Sequence, residues 1–203
     1  MPAALGLFAT DTEAAAARWA RRKLGTAGHE RRVLAVASKL FDLTRSSLHL
    51  AEPDHELLRL AALVHDIGRC VSEKDHPARG AMMIEQTTAL ELSAAQRRRL
   101  AFLTRYHRGA VPPAHRELHL GPTDPRRNLR AVLALLRAAD ALDHRRQPAT
   151  RLVLSMVDRR LSVRCVIDGD VPNARRVYTR RKKYRLLESF LGHPVRVGVE
   201  AAA

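Results

Sequence analysis

The stretch ALVHDIGRC, residues 62–70, places a histidine and an aspartate side by side where the surrounding pattern predicts core. The segment PDHELLRLAALVHDIG predicts a helix over 54–67, with Asp54 as its N-cap and Gly68 as its stop. His65 continues the apolar stripe of this helix. Burying an imidazole beside a carboxylate is costly unless the two are paired or bind a metal. The rest of the chain must therefore supply their partners.

Four further predicted helices carry a polar residue on their apolar stripe. The offsets are three or four residues, so each polar side chain points where its apolar neighbours point. A single histidine in such a place is usually a hydrogen-bonded core residue, but six buried imidazole and carboxylate groups require a common purpose. Nitrogen and oxygen donors without thiolates suit Mn, Fe, Co, Ni, Zn or Mg. The candidate metal ligands are His29, His65, Asp66, His76, His107 and Asp140.

Capping residues, apolar periodicity and glycine stops predict six helices in the first part of the chain. The pattern changes at Gln147–Pro148, where two β-rich runs with a short polar turn predict a hairpin. The predicted helices cover 11–24, 27–43 and 54–67, then one starting near Asp75, one over 94–108 capped by Ser93, and one from Asp124–Pro125 to Leu142.

The C-terminal part is predicted to consist of the hairpin, over 150–158 and 160–168, a basic amphipathic helix over 172–192 and a short strand over 193–200. We therefore predict a mostly α fold, with a helical domain over 1–146 and a small α+β appendage over 149–203 packed on it.

The chain is strongly basic. Lys and Arg number 36 against 21 Asp and Glu, which gives a formal net charge of +15. Such a surface attracts anions, including phosphorylated substrates, polyphosphate, nucleic acid and acidic lipid. Most of this charge is arginine, and arginine–alanine richness also follows from genomic base composition, so charge alone leaves both interpretations open.

Cysteine usage and hydropathy bear on location. The two cysteines, Cys70 and Cys165, form no disulfide framework, which fits a reducing compartment. The N-terminal stretch MPAALGLFAT lacks a basic segment and a long apolar run, so no signal peptide is expected. No run of eighteen apolar residues occurs, so we expect no membrane span and a cytoplasmic protein.

The motif order resembles a known superfamily. His29, then His65–Asp66, then Asp140 is similar to the pattern of HD metal-dependent phosphohydrolases. HPARGAMMI, residues 76–84, resembles the segment that supplies a further histidine in two-metal HD enzymes. LTRYHRGAVP and VLALLRAADALDHRR resemble the C-terminal HD domain of exopolyphosphatase/guanosine pentaphosphatase (Ppx/GppA) proteins, over about residues 25–199.

This resemblance implies an HD-type helical bundle that holds one or two divalent ions, with His65 and Asp66 in the catalytic role. Asp66 would bridge two metals, with His29, His65 and Asp140 on one side and His76 and His107 on the other. The Ppx/GppA family carries its phosphatase site in an N-terminal domain that this sequence does not contain, so activity is expected from the HD site. Alarmone hydrolases carry Glu-Asp where Ile67–Gly68 stands here, so that substrate is not expected.

Three groups of residues near these motifs have two interpretations each. Arg69 and Arg108 directly follow candidate ligands and are placed to bind substrate phosphate, although each is equally typical of a solvated helix end. Asp143 either supports the site or belongs to the helix end. The basic run RRVYTRRKKYR, residues 175–185, has Tyr178 and Tyr184 interleaved among its cations and is either a polyanion-binding patch or a solvated face. The residues assigned to the patch are Arg181, Lys182 and Lys183.

The sequence thus predicts a metal-dependent phosphohydrolase that acts on phosphoesters or phosphoanhydrides, with a nucleotide or polyphosphate as its partner. The alternative is a non-catalytic HD protein that binds polyphosphate or nucleic acid, or that regulates a partner protein. A homodimer is compatible with either function. Salt dependence separates them, since polyanion binding falls steeply with salt.

Overall fold

A computed structural model describes residues 10–113, 116, 118–145 and 149–202. The signal-peptide prediction for the first nine residues and the domain boundary at Gln147–Pro148 fall outside this range. The described residues form a mostly α fold with a small sheet, as predicted. The elements are α1 Asp11–Leu24, α2 Gly28–Leu48, α3 Glu52–Val64, α4 His76–Gln86, α5 Ala94–Tyr106, α6 Arg126–Leu142, β1 Arg151–Val157, β2 Arg160–Ile167, α7 Val171–Tyr178, α8 Arg185–Leu191 and β3 Arg196–Ala201.

Helix α2 is longer than the sequence pattern indicated. The predicted end near Leu43 is wrong, because Thr44 and Leu48 continue the buried face one and two turns beyond Leu40. The Thr44 hydroxyl donates to the carbonyl of Leu40 at 2.7 Å, so it is satisfied inside the helix. The helix stops at His49, whose backbone is left-handed at φ 55°.

Helix α3 begins and ends earlier than predicted. Its N-cap is Ala51, and Asp54 instead accepts a hydrogen bond at 3.0 Å from the Ala51 backbone N–H. The α-helical residues stop at Val64, and a 3₁₀ turn over Ile67–Cys70 follows. Asp66 therefore lies at the junction between the helix and the turn, where helical periodicity does not determine the orientation of its side chain.

Gly68 has a packing role rather than the predicted stop role. A Cβ on Gly68 would overlap the backbone O of His76 and the backbone N of Gly80. A Cβ on Gly80 would in turn lie 2.8 Å from Cγ2 of Thr104. The two glycines let the turn after Asp66 lie directly against α4, the helix that starts with His76.

One contiguous hydrophobic core includes both parts of the chain. Helices α2, α3 and α6 pack on one another, and α6 also contacts α8. Leu154 of β1 and Leu187 of α8 belong to the same buried cluster as Leu133 and Leu136 of α6. The division at residue 146 stays a prediction. Of the helices within the described ranges, none is both long and apolar enough to cross a membrane.

The predicted hairpin is present, as antiparallel β1 and β2 joined at Asp158–Arg159 with φ of 47° and 63°. Strand β3 pairs with β2 in parallel. The predicted single basic helix is wrong, because a 3₁₀ turn over Arg181–Lys183 separates α7 from α8. Tyr178 and Tyr184 are buried, and the Tyr184 hydroxyl donates to the Tyr178 carbonyl at 2.8 Å. The two tyrosines thus pack in the core on either side of the 3₁₀ turn and do not lie on an exposed basic face.

Replacing Gly68 with alanine should lower the free energy of unfolding by about 1–3 kcal/mol or more, because backbone atoms cannot move aside as a side chain can. Gly28→Ala is the matched control, since its Cβ would meet flexible side-chain atoms of Arg32 at 3.5 Å and Thr26 at 3.8 Å. Denaturant titration of both variants measures the difference. Equal stability of the two would show that the close glycine contact does not constrain the fold.

Candidate metal centre

The six candidate ligands converge at helix ends. Some backbone N–H and C=O groups at a helix end have no hydrogen-bond partner within the helix. Side chains at such ends can turn toward a shared point. His65 directly follows α3, and Asp66 comes next. The remaining ligands are His29 as the second residue of α2, His76 as the first of α4, His107 directly after α5, and Asp140 in the last turn of α6.

The first group of ligands surrounds one oxygen of Asp66. The Nε2 atoms of His29 and His65 lie 3.9 and 3.8 Å from Asp66 Oδ2. The same two nitrogen atoms lie 3.3 and 3.7 Å from Asp140 Oδ1. Two imidazole nitrogens and two carboxylate oxygens thus face one another within about the span of a metal coordination sphere.

The second group surrounds the other oxygen of Asp66. His76 Nε2 and His107 Nε2 lie 3.1 and 3.3 Å from Asp66 Oδ1, and 3.2 Å from each other. The two oxygens of one buried carboxylate therefore face two separate pairs of histidines. His29, His65 and Asp66 form one set of potential metal ligands, and Asp66, His76 and His107 form the other.

Hydrogen bonds fix which nitrogen of each imidazole carries the proton. A carbonyl or carboxylate oxygen only accepts, so its histidine partner must be the donor. All four rings use Nδ1 in this way, which leaves every Nε2 with a free lone pair in the neutral ring. The acceptors are Asp143 Oδ2 for His29 at 2.6 Å, and the carbonyls of Ala62 for His65 at 2.9 Å, Glu73 for His76 at 2.8 Å and Thr104 for His107 at 2.7 Å.

Several atoms of the centre lack hydrogen bonds. Among the described residues, His29 Nε2, His65 Nε2 and Asp66 Oδ1 are buried without a hydrogen-bond partner. Leaving such groups unsatisfied costs about 1–3 kcal/mol each, and more for charged groups. Divalent cations at the two ligand sets would be partners for these atoms, and the imidazole and carboxylate donors suit such ions. The residues present therefore fit a metal.

Both carboxylates are held in their charged form. Burial raises the pKa of Asp66, but His65, His107 and His76 outweigh it and hold that pKa far below its ordinary value. Burial also raises the pKa of Asp140, but the neighbouring imidazoles of His29 and His65 and the positive charge of Arg108 hold that pKa well below its ordinary value. Ionised carboxylates are the form that binds a cation.

Asp143 has a clear place in the structure. Its Oδ2 accepts from His29, and its Oδ1 accepts from Arg32 Nε at 2.7 Å. It thus links the imidazole to a charged partner and orients the ring. The helix-end interpretation of Asp143 is incomplete, because its side chain contacts a candidate ligand directly.

Sequence reasoning missed a buried ion pair beside Asp66. Arg145 Nη2 lies 2.6 Å from Asp66 Oδ2 and 2.7 Å from Oε1 of Glu30, which is fully buried. Glu30 directly follows His29, so a buried acid there could have been suspected from its position. Arg145 follows the end of α6, where helical periodicity gives no direction to a side chain.

A cavity of about 720 Å³ opens onto the centre. Arg69 and Arg108, which the sequence predicts to bind substrate, line it, and so do Lys182 and Lys183; their substrate role stays a prediction. Arg181, the third residue of the predicted polyanion patch, is not part of the lining. The other lining residues are His29, Glu73, His107, Gly109, Arg137, Asp140, Ala141, Asp143, His144, Arg145 and Arg185.

The two predicted phosphate-binding arginines both contact acids. Arg69 Nη1 lies 3.6 Å from Asp66 Oδ2, and its Nη2 pairs with Glu73. Arg108 Nη2 lies 3.4 Å from Asp140 Oδ2. Each guanidinium is thus held next to a candidate metal ligand, and both arginines are part of the cavity lining.

Residues 25–164 match the family model described as Ppx/GppA phosphatase, domain III. Two curated relatives from strains of Vibrio cholerae serotype O1 are both called guanosine-5'-triphosphate,3'-diphosphate pyrophosphatase, and each is 29% identical to this chain over 139 residues. The aligned part covers 68% of this chain but only 27% of each relative. These matches confirm the resemblance to the Ppx/GppA family, whereas the HD superfamily assignment stays a prediction.

Asp66→Asn should abolish stabilisation by metal, because it removes the charge shared by both ligand sets. At a free ion concentration about 100 times Kd, a ligand stabilises the folded protein by about 2.7 kcal/mol, and each kcal/mol raises Tm by about 2–4 °C at this size. Wild type should therefore melt several degrees higher with Mn²⁺ than with chelator, and Asp66→Asn should not. Asp42→Asn, on the exposed side of α2, is the control and should respond like wild type. A normal metal response in Asp66→Asn would exclude the shared-ligand role.

Proposed function

The chain belongs to the Ppx/GppA phosphatase family, and we propose that it is a phosphohydrolase whose active site is the histidine–aspartate centre around Asp66. The observation that carries this proposal is the arrangement of one buried carboxylate with each oxygen facing its own pair of imidazole Nε2 atoms. A structural role alone gives no reason for four lone pairs to face two carboxylates.

In this proposal the centre is of the HD type. His29, His65, Asp66 and Asp140 hold one divalent ion, and Asp66, His76 and His107 hold a second. When bound, such ions polarise a phosphoryl oxygen and activate a water molecule for in-line attack. Mn, Fe, Co, Ni, Zn and Mg all suit these donors.

The chain's own residues prepare the centre for this chemistry. Asp143 and the three backbone carbonyls fix the proton of each imidazole on Nδ1, so the ligand nitrogens need no rearrangement. Arg69 and Arg108 flank the ligands and bind the phosphoryl oxygens that do not face metal. Arginine suits this role because its planar group binds two oxygens at once.

The proposed substrates are phosphoesters or phosphoanhydrides of the nucleotide or polyphosphate type. The name of the Vibrio cholerae relatives describes hydrolysis of a multiply phosphorylated nucleotide, and a cavity with seven arginines and lysines among its fifteen lining residues fits that class of compound. The relatives are much longer than this chain, so the present site and not their whole activity is the basis for the proposal.

Polyanion binding without hydrolysis is the second candidate function. It is favoured by Lys182 and Lys183, which line the same cavity as the candidate ligands. The nucleic-acid form of this candidate is weaker than the sequence indicated, because Tyr178 and Tyr184 are buried and cannot stack on bases. Binding and hydrolysis would then use one cavity, and the presence or absence of turnover separates them.

Asp66→Ala should remove bound metal and phosphohydrolase activity together, with a loss in kcat/KM of about a thousandfold or more, since one change eliminates a ligand of both proposed ions. The assay uses Mn²⁺-loaded protein with tripolyphosphate, GTP, a cyclic dinucleotide and p-nitrophenyl phosphate. Metal content is measured on the same samples, and Asp42→Ala is the control. Activity that persists in Asp66→Ala would contradict the proposal. Failure of wild type to hydrolyse any of the four would favour the binding function.

A further inference from the structure

The C-terminal part of the chain contributes one wall of the cavity. Lys182 and Lys183 come from the 3₁₀ turn between α7 and α8, and Arg185 is the first residue of α8. All three lie beyond residue 164, where the family match ends. The helical part supplies the candidate metal ligands, so the two parts of the chain meet across this cavity.

The cations of the helical wall are already bound to acceptors. Arg69 and Arg108 contact carboxylates of the centre. Arg145 is held between Asp66 and Glu30. Arg137 donates to the carbonyl of Gly109 at 2.8 Å.

The cations of the C-terminal wall are different. Within the described parts of the chain, the side chains of Lys182, Lys183 and Arg185 have no hydrogen bond or ion pair. Lys182 and Arg185 are exposed, whereas Lys183 is half-buried. Burial lowers the pKa of Lys183, while the charge of Asp140 raises it and that of Arg108 lowers it. Lys183 is therefore a half-buried cation with an unpaired side chain, and it lines the same cavity as the candidate ligands His107 and Asp140.

The cavity lining also limits what these cations can recognise. Its described residues include no Phe, Tyr or Trp ring and no Asn or Gln amide. Nucleobases are usually recognised by stacking on such rings and by hydrogen bonds to amides or other polar groups. Three ammonium and guanidinium groups instead match the oxygens of a phosphate.

We propose that Lys183, supported by Lys182 and Arg185, binds a second phosphoryl group of the substrate and so selects linked phosphates over monophosphates. This inference rests on the proposed function, because it assumes that the first phosphoryl group lies at the centre around Asp66. A monophosphate placed there lies beside Arg69 and Arg108, which contact Asp66 and Asp140. A compound with a second linked phosphoryl group extends across the cavity to the C-terminal wall.

The test compares orthophosphate and pyrophosphate as ligands of the purified protein by isothermal titration calorimetry. Lys183→Ala should weaken pyrophosphate binding by about 10- to 100-fold, the equivalent of one charged hydrogen bond. Orthophosphate binding should change by less than about threefold. Lys183→Arg keeps the charge and should restore most of the pyrophosphate affinity.

Arg181→Ala is the matched control. Arg181 belongs to the same turn and carries the same charge as Lys183, but its side chain is 73% exposed, lies 3.8 Å from Glu188 and does not line the cavity. It should change neither affinity. Equal losses in Arg181→Ala and Lys183→Ala would show a diffuse charge effect and overturn the proposal, as would equal losses for both ligands in Lys183→Ala. Lys183→Gln provides a second neutral variant if Lys183→Ala fails to fold.

The titration requires no turnover, so its result is separable from the proposed function. One outcome is that the protein shows no hydrolysis, while its pyrophosphate binding still depends on Lys183. The proposed hydrolysis is then wrong, and the second-phosphate site stands. If hydrolysis is present and pyrophosphate binding ignores Lys183, the centre is catalytic and the selectivity site is wrong.

Discussion

The buried carboxylate of Asp66 is the constraint on which the rest of this structure depends. A fully buried charge between four imidazoles is tolerated only when positive charge compensates it. Arg145 supplies part of that charge from one side, on Oδ2, while Oδ1 has no hydrogen-bond partner among the described residues. The charge of Asp66 thus needs further cations, and the proposed divalent ions, one on each side of the carboxylate, would supply them.

Local chain geometry prepares the imidazoles for this task. His65, His76 and His107 each donate Nδ1–H to the carbonyl three residues earlier. For His65 and His107 that carbonyl lies in the last turn of a helix, where carbonyls are free, and for His76 it lies in the segment before α4. The same short pattern thus sets three rings with Nε2 toward Asp66. The contact between Gly68 and Gly80 then brings the segment after Asp66 against the helix that begins with His76.

Helical periodicity explains why the sequence predicted so much of the centre. All side chains on an apolar stripe point toward the core, so His29 and Asp140 could be identified from the sequences of their own helices. Periodicity does not predict the orientation of a side chain beyond the end of a helix, as for Arg145. It also predicts one amphipathic helix for a run of cations that the structure divides into two. Buried Tyr178 and Tyr184 break that helix, and only tertiary packing reveals that they are core residues. Lys183 belongs to the 3₁₀ turn at this break and lines the cavity.

Diffraction from crystals grown with Mn²⁺ tests the central claim most directly, because anomalous scattering locates each ion without reference to activity. The account predicts two peaks beside Asp66, one near Oδ2 with His29 and His65 and one near Oδ1 with His76 and His107, about 3.5–4 Å apart as in two-metal sites. Crystals that contain Mn²⁺ at other positions but show no peak at Asp66 would contradict it.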